Sequence, residues 1–184
     1  MSENTIPTYG NFVRKLFNRS GDPSKDFTHI ILGIVTEIHE YLSAPDEVNA
    51  REELGDLMFY LQALAQFVED VDGKPLKVTD GEHEVSETSF AAAFISSSCN
   101  AMLDHAKRWV GYNKRPGNLT EVFMECAQLV YFANVTGPFP CTDVERIKAL
   151  NVAKLLKRYP GGEYNQYHAL VRDLGAERAV LESH

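Results

Sequence analysis

Along this chain, apolar side chains recur every three or four positions, the period of an amphipathic helix, and nowhere do they alternate as in a strand. Phe12, Val13, Leu16 and Phe17 share one face of a short helix over residues 9–17. Ser20-Gly21-Asp22-Pro23 marks a loop, after which Ile30, Ile31, Ile34, Ile38 and Leu42 predict a helix beginning at residue 26 or 28 and ending near 43. Ala44-Pro45 stops it and Asp46 is placed to cap the next. That next helix, over 47–71, has a stripe of Leu54, Leu57, Met58, Leu61, Leu64, Ala65 and Val68. Residues 72–88 contain two Asp-Gly pairs, a proline and few apolar side chains, and read as a linker or at most a small hairpin. Helical patterning resumes over 90–110, pauses at a basic turn over 112–118, and continues over 119–134 until Gly137-Pro138-Phe139-Pro140. Thr142-Asp143 caps a helix over 144–158, which Tyr159-Pro160-Gly161-Gly162 terminates, and 166–181 forms one last helix.

The pattern predicts an all-α protein, a bundle of four to five long helices in one domain over 1–184. Within it, 28–71 is one helix pair and 89–135 a second, followed by a basic C-terminal helix over 143–160. Glu53 to Tyr60 lines up with Glu125 to Phe132 at an offset of 72 residues, so the second pair reads as a copy of the first.

Composition adds little until charge is mapped. The chain has 184 residues and a formal charge of −8, which argues against a surface built to wrap nucleic-acid phosphates. No apolar run reaches membrane-spanning length, and residues 1–20 lack the core of a signal peptide. Three cysteines without a CxxC spacing disfavour a disulfide scaffold or a zinc site. A cytoplasmic protein without membrane or nucleic-acid partners is expected. Residues 37–56, however, hold seven acids against Arg51 alone, a local net of −6, and residues 104–158 carry a net of +4.

The acids are organised. Glu37 and Glu40 lie at i, i+3 on one helix face, with Gly33 a turn earlier, where the missing side chain admits another group. Glu53 and Asp56 repeat the spacing on the next helix, with Tyr60 a turn further along. Twelve residues separate Glu40 from Glu53, enough for an antiparallel return that brings the four carboxylates together with Glu52 close behind. Like charges about 4 Å apart repel by roughly 4 kcal/mol at an effective dielectric of ~20. Such a group persists only with bound divalent cations or with most of the acids protonated. Oxygen ligands without sulfur or imidazole select hard ions, Mg²⁺ or Mn²⁺. A di-iron bundle would need Glu-x-x-His, and none of the six histidines has a glutamate three residues before it. His39 falls within the acidic stretch but off the carboxylate face.

The basic half supplies the counterpart: Lys107-Arg108, Lys114-Arg115, and Lys154, Lys157 and Arg158, with Asn151 one turn before Lys154. Opposite an acidic metal cluster these are donors suited to phosphate. Trp109, within an apolar helix, reads as core rather than as a base-stacking residue.

GIVTEIHEYL (33–42) followed by EELGDLMFYL (52–61) resembles the MazG-type all-α nucleoside triphosphate pyrophosphohydrolases, whose hallmark is ExxE, a spacer, then ExxD. NVAKLLKRYPGG (151–162) is similar to the N-x-A-K-L-x-x-R-Y-P ending of phage and bacterial members, and the family is related to the dimeric dUTPases. The resemblance covers about residues 9–68 and 104–162. It implies Mg²⁺-dependent cleavage of a (d)NTP to the monophosphate and pyrophosphate. It also implies Glu37, Glu40, Glu53 and Asp56 as metal ligands, and Glu52 or Glu53 as the group that orients or deprotonates water. Asn151, Lys154, Arg158 and Tyr159 are implied as substrate contacts.

The family's D-x-x-K-K/R…Y-G-K segment corresponds here to Asp104 to Lys114, in the second helix pair. Ser98, Ala101 and Gln128 there replace acids, so that pair reads as a degenerate copy that kept its cations. The expectation is one composite site, with acids from 37–56 and phosphate contacts from Lys107, Lys114 and 151–158. A homodimer or homotetramer is implied, unless the duplication supplies both halves in one chain. The alternative is a catalytically weak nucleotide-binding or regulatory bundle. Base and sugar preference are not legible in the sequence.

Overall fold

The computed structural model describes residues 8–76 and 88–183. Every regular element among them is a helix: α1 (Tyr9–Leu16), α2 (Pro23–Leu42), α3 (Glu47–Asp72), α4 (Thr88–Tyr112), α5 (Leu119–Thr136), α6 (Val144–Arg158), α7 (Gln166–Leu170) and α8 (Leu174–Glu182). Short polar residues set the starts. Asp22 accepts from Ser24 N at 2.9 Å ahead of Pro23, Asp46 from Asn49 N at 2.9 Å, Asn118 from Thr120 N at 3.1 Å and Asp143 from Arg146 N at 3.0 Å, each satisfying a donor the helix leaves open. Gly73, at φ +68°, closes α3 in the left-handed conformation that suits glycine at this position.

The α2–α3 hairpin is the spine. Ile30, Ile31, Ile34 and Ile38 of α2 and Leu54, Leu57, Leu61 and Leu64 of α3 are buried between them and the α4–α5 hairpin. Phe27, Phe67 and Trp109 join α2, α3 and α4, with ring centroids 5.0–5.9 Å apart, so Trp109 is a core residue. On the other side of α3 lie α1 and α6, held by a smaller cluster of Phe12, Leu16, Leu155 and Tyr159. Asn134 bridges the loop to α6, donating to Cys141 O at 2.7 Å and accepting from Cys141 N at 2.9 Å.

Two boundaries differ from the sequence reading. The last helix is two, because the chain breaks at 171–173 and Asp173 caps a new start by accepting from Ala176 N at 3.0 Å. Helix α2 starts earlier than its apolar stripe because Asp22-Pro23 nucleates it. Much of the expected linker, residues 77–87, lies outside the described residues. No helix among the described residues is long and apolar enough to cross a membrane.

Candidate functional site

The α2–α3 hairpin places the expected acids on facing turns. Burying Ile34 and Ile38 on α2 and Leu54 and Leu57 on α3 turns Glu37, Glu40 and Glu53 to the edge of the same seam. Each offers an oxygen, and the three lie within 4.8 Å of one another. Glu37 and Glu53 are half-buried and Glu40 is exposed. Burial, then the charge of Asp56, pushes the carboxyls of both Glu37 and Glu53 above the usual range. The hydrogen bond between them raises Glu37 and lowers Glu53. With both carboxyls raised, the pair holds a proton more firmly than two isolated glutamates would.

Asp56 is held differently. Asn151 Nδ2 donates to its Oδ1 at 2.7 Å and Lys154 Nζ to its Oδ2 at 2.5 Å. Lys154 is fully buried and also lies 3.4 Å from Glu52 Oε1. Burial alone would lower the pKa of its ammonium, but the charges of Asp56 and Glu52 raise it instead. Asn151 is held in turn by Tyr9, whose hydroxyl donates to Oδ1 at 3.2 Å. Helix α6 comes this close because α3 has Gly55 at the crossing: a Cβ there would meet Asn151 Cβ at 3.0 Å. Asn151 and Lys154, expected as substrate contacts, thus direct these donors to a carboxylate of the cluster.

Beside the acids opens a cavity of about 290 Å³. Six rings line it, Phe17, His29, Phe59 and Tyr60 in one contacting group and Tyr159 and Tyr164 in another. Glu37 and Asp56 border it, and Arg158 and Arg172 add cations. Phe17 stacks on His29 at 5.0 Å, and Tyr60 meets His29 and Phe59 edge-on at 5.9 and 5.6 Å. Burial lowers the pKa of His29, favouring the neutral ring. Tyr60 lies across α2 at Gly33, where a Cβ would sit 2.5 Å from its ring carbons. The group that this glycine admits is Tyr60. Burial, then the charges of Glu37 and Asp56, raises its hydroxyl to about 12, so it is a donor at neutral pH.

The composite arrangement expected of the two halves does not form as written. Arg115 pairs with Asp72, at the C-terminal end of α3. Asp72 is sixteen residues from Asp56, about 24 Å along a helix at ~1.5 Å per residue. The basic turn carrying Lys114 is therefore at the opposite end of α3 from the carboxylates. Lys107 is exposed and pairs with Asp104 at 2.7 Å, and neither lysine lines the cavity. The 151–158 segment, by contrast, does reach the site, with Arg158 in the cavity wall and Tyr159 next to it in the chain also lining the cavity.

His29, Phe59, Tyr164 and Arg172 are cavity residues that periodicity and motif spacing passed over. Phe59 adjoins the ExxD segment, but Tyr164 and Arg172 carry no local signal and arrive only through the return of the chain after α6. Compared with protein-family models, with curated proteins and with solved structures, the chain matches none.

Proposed function

We propose that this chain is a divalent-metal-dependent nucleoside triphosphate pyrophosphohydrolase, built on a helix bundle of the all-α pyrophosphohydrolase type. The observation that carries the reading is the junction of a three-glutamate cluster with an aromatic cavity that has arginines in its wall. The donor set suits Mg²⁺ or Mn²⁺: three carboxylates within 4.8 Å, partly buried, with a proton held where a cation would replace it. Glu37, Glu40 and Glu53 would hold the ion, with Asp56 fixed beside them by Asn151 and Lys154. A bound cation there neutralises phosphate charge and acidifies water.

The remaining roles belong to the chain. The aromatic walls accept a nucleobase by stacking, and at about 290 Å³ the cavity is at the lower end of the range for small-molecule sites. Arg158 supplies charge-assisted donors toward the phosphates. Glu53, with a carboxyl pKa raised toward neutrality, is suited to take a proton from the attacking water, and Glu52, tied to Lys154, stands next to it in the chain. Water adds to the α phosphorus while its proton passes to Glu53, the bond from that phosphorus to the bridging oxygen breaks, and the bond's electrons leave with pyrophosphate.

A panel of NTPs and dNTPs incubated with Mg²⁺, wild type against Glu53→Gln, tests this by pyrophosphate release. At least one nucleotide should be consumed by the wild type and none at a comparable rate by the variant. Equal turnover by the variant, or binding of nucleotide without any turnover, overturns the enzyme in favour of a binding protein.

A further inference from the structure

Arg172 lies outside every motif of the sequence, in the connection between α7 and α8, yet it lines the cavity together with Arg158. One carboxylate orients both. Arg158 donates from Nε to Glu177 Oε1 at 3.1 Å and from Nη2 to Oε2 at 2.6 Å. Arg172 repeats the fork with the same atoms at 3.5 and 2.8 Å. Glu177 is 2% exposed. A single guanidinium neutralises a carboxylate in this bidentate geometry. The second leaves a surplus positive charge at the cavity wall, with Nη1 of both arginines outside the forks. Asp56, the acid of α3 in that wall, acts on Arg158 only through its charge, because its oxygens accept from Lys154 and Asn151 rather than from either arginine. A cation pair gathered on one buried acid at a cavity rim is stabilised when an anion joins it.

The segment that delivers Arg172 is fastened at both ends. Tyr164 N donates to Lys15 O at 3.3 Å, at the end of α1. Arg178 on α8 donates to Asn49 Oδ1 at 2.8 Å and Asp46 Oδ2 at 3.3 Å, at the start of α3. Residues 163–182 are thereby tied to the end of α1 and to the start of α3, the helix that carries Glu53 and Asp56.

We propose that Arg158 and Arg172, positioned by Glu177, form an anion subsite in the cavity wall that takes the phosphate chain of the ligand. Naming that anion a nucleotide phosphate rests on the proposed function; the subsite itself rests on the shared carboxylate and the surplus charge. Glu177 acts through the two arginines and is a positioning residue, while Arg172 makes the C-terminal segment part of the site.

The test is calorimetric binding of inorganic tripolyphosphate, with Mg²⁺, to the full chain and to Arg172→Ala, Arg172→Lys and Glu177→Gln. KM and kcat are measured beside it for any nucleotide the wild type turns over. Loss of the Arg172 charge and its Nη1 donor should weaken tripolyphosphate by about tenfold in Arg172→Ala and raise KM by a similar factor with a smaller change in kcat. Lysine, which keeps the charge without the fork, should restore part of the affinity. Glu177→Gln, assayed well below its melting midpoint, should weaken binding as Arg172→Ala does. Affinity and KM unchanged in Arg172→Ala and Glu177→Gln overturn the subsite, even if nucleotides are hydrolysed. Arg172-dependent binding of tripolyphosphate without hydrolysis of any nucleotide upholds the subsite and overturns the enzyme instead.

Discussion

Replacing Glu37 by glutamine should stabilise the metal-free protein and remove most of its response to divalent cations. Glu37, Glu40 and Glu53 present oxygens within 4.8 Å of one another, and each ionised pair at that separation costs about 3.5 kcal/mol at an effective dielectric of ~20. The native chain avoids part of this by keeping a proton on the Glu37–Glu53 pair, with the Glu37 carboxyl pushed up to about 9. A carboxyl raised in the folded state binds a proton that the unfolded chain has released. Its favourable contribution is therefore complete below the ordinary glutamate value and is lost as pH rises toward 9. The amide introduced by Glu37→Gln would donate the same hydrogen bond to Glu53 with no proton to acquire. At pH 8 without metal the variant should gain about 3 kcal/mol, or about 6–12 °C in melting midpoint for a chain of this length. Saturating Mg²⁺ or Mn²⁺ should raise the wild-type midpoint and leave the variant nearly unmoved. Calorimetry at pH 7 in buffers of different ionisation enthalpy should show close to one proton released per metal bound by the wild type, and none by the variant. A wild-type midpoint that is flat from pH 5 to 9 and indifferent to cations would refute the reasoning.

Three further expectations follow from the packing around the cluster. Gly33→Ala sets a Cβ where the Tyr60 ring lies, so Tyr60 must leave its place; melting should show a loss of about 1–3 kcal/mol and titration a weaker nucleotide affinity. Lys154→Met keeps the buried stem but leaves the Asp56 and Glu52 carboxylates without their cation, and chemical denaturation should report a loss of about 2–4 kcal/mol at pH 7. Burial alone would raise the Glu177 carboxyl, but the forks from Arg158 and Arg172 overcome it and hold it at about 2. That stabilisation is present above the ordinary glutamate value and drains away as pH falls toward 2. The metal-free protein should therefore be most stable near pH 5 in a melting series, with Glu177→Gln flattening only the acid limb.

What the sequence disclosed, and what it withheld, divides by range of interaction. The helices of the spine were legible because their apolar stripes are long and because Asp46 and Asp143 mark two of their starts, whereas the caps Asp22 and Asn118 sit in stretches that read as a loop and a basic turn. The i, i+3 pairs Glu37–Glu40 and Glu53 with Asp56 were legible for the same reason: a hairpin of known period leaves little freedom in which faces meet. The fate of Asp56 was not, because it depends on α6 crossing α3 at Gly55, and Asn151 and Lys154 look like free donors until that crossing is known. The basic turn at 112–118 misled in the opposite direction. Sign and composition suit phosphate, but the length of α3 puts the turn beside Asp72 rather than Asp56. Arg172 and Glu177 had no pattern to announce them, since their meeting with Arg158 requires the chain to reverse after Gly161-Gly162.

The central claim is that the glutamate cluster and the aromatic cavity together cleave a nucleoside triphosphate at its α–β bond. Phosphorus NMR of a nucleotide consumed by the wild type with Mg²⁺ tests it most directly. The account predicts nucleoside monophosphate and pyrophosphate appearing together in equal amounts, with neither formed by Glu53→Gln. Orthophosphate and a nucleoside diphosphate as first products, or no phosphorus signal changing for any nucleotide, would contradict it.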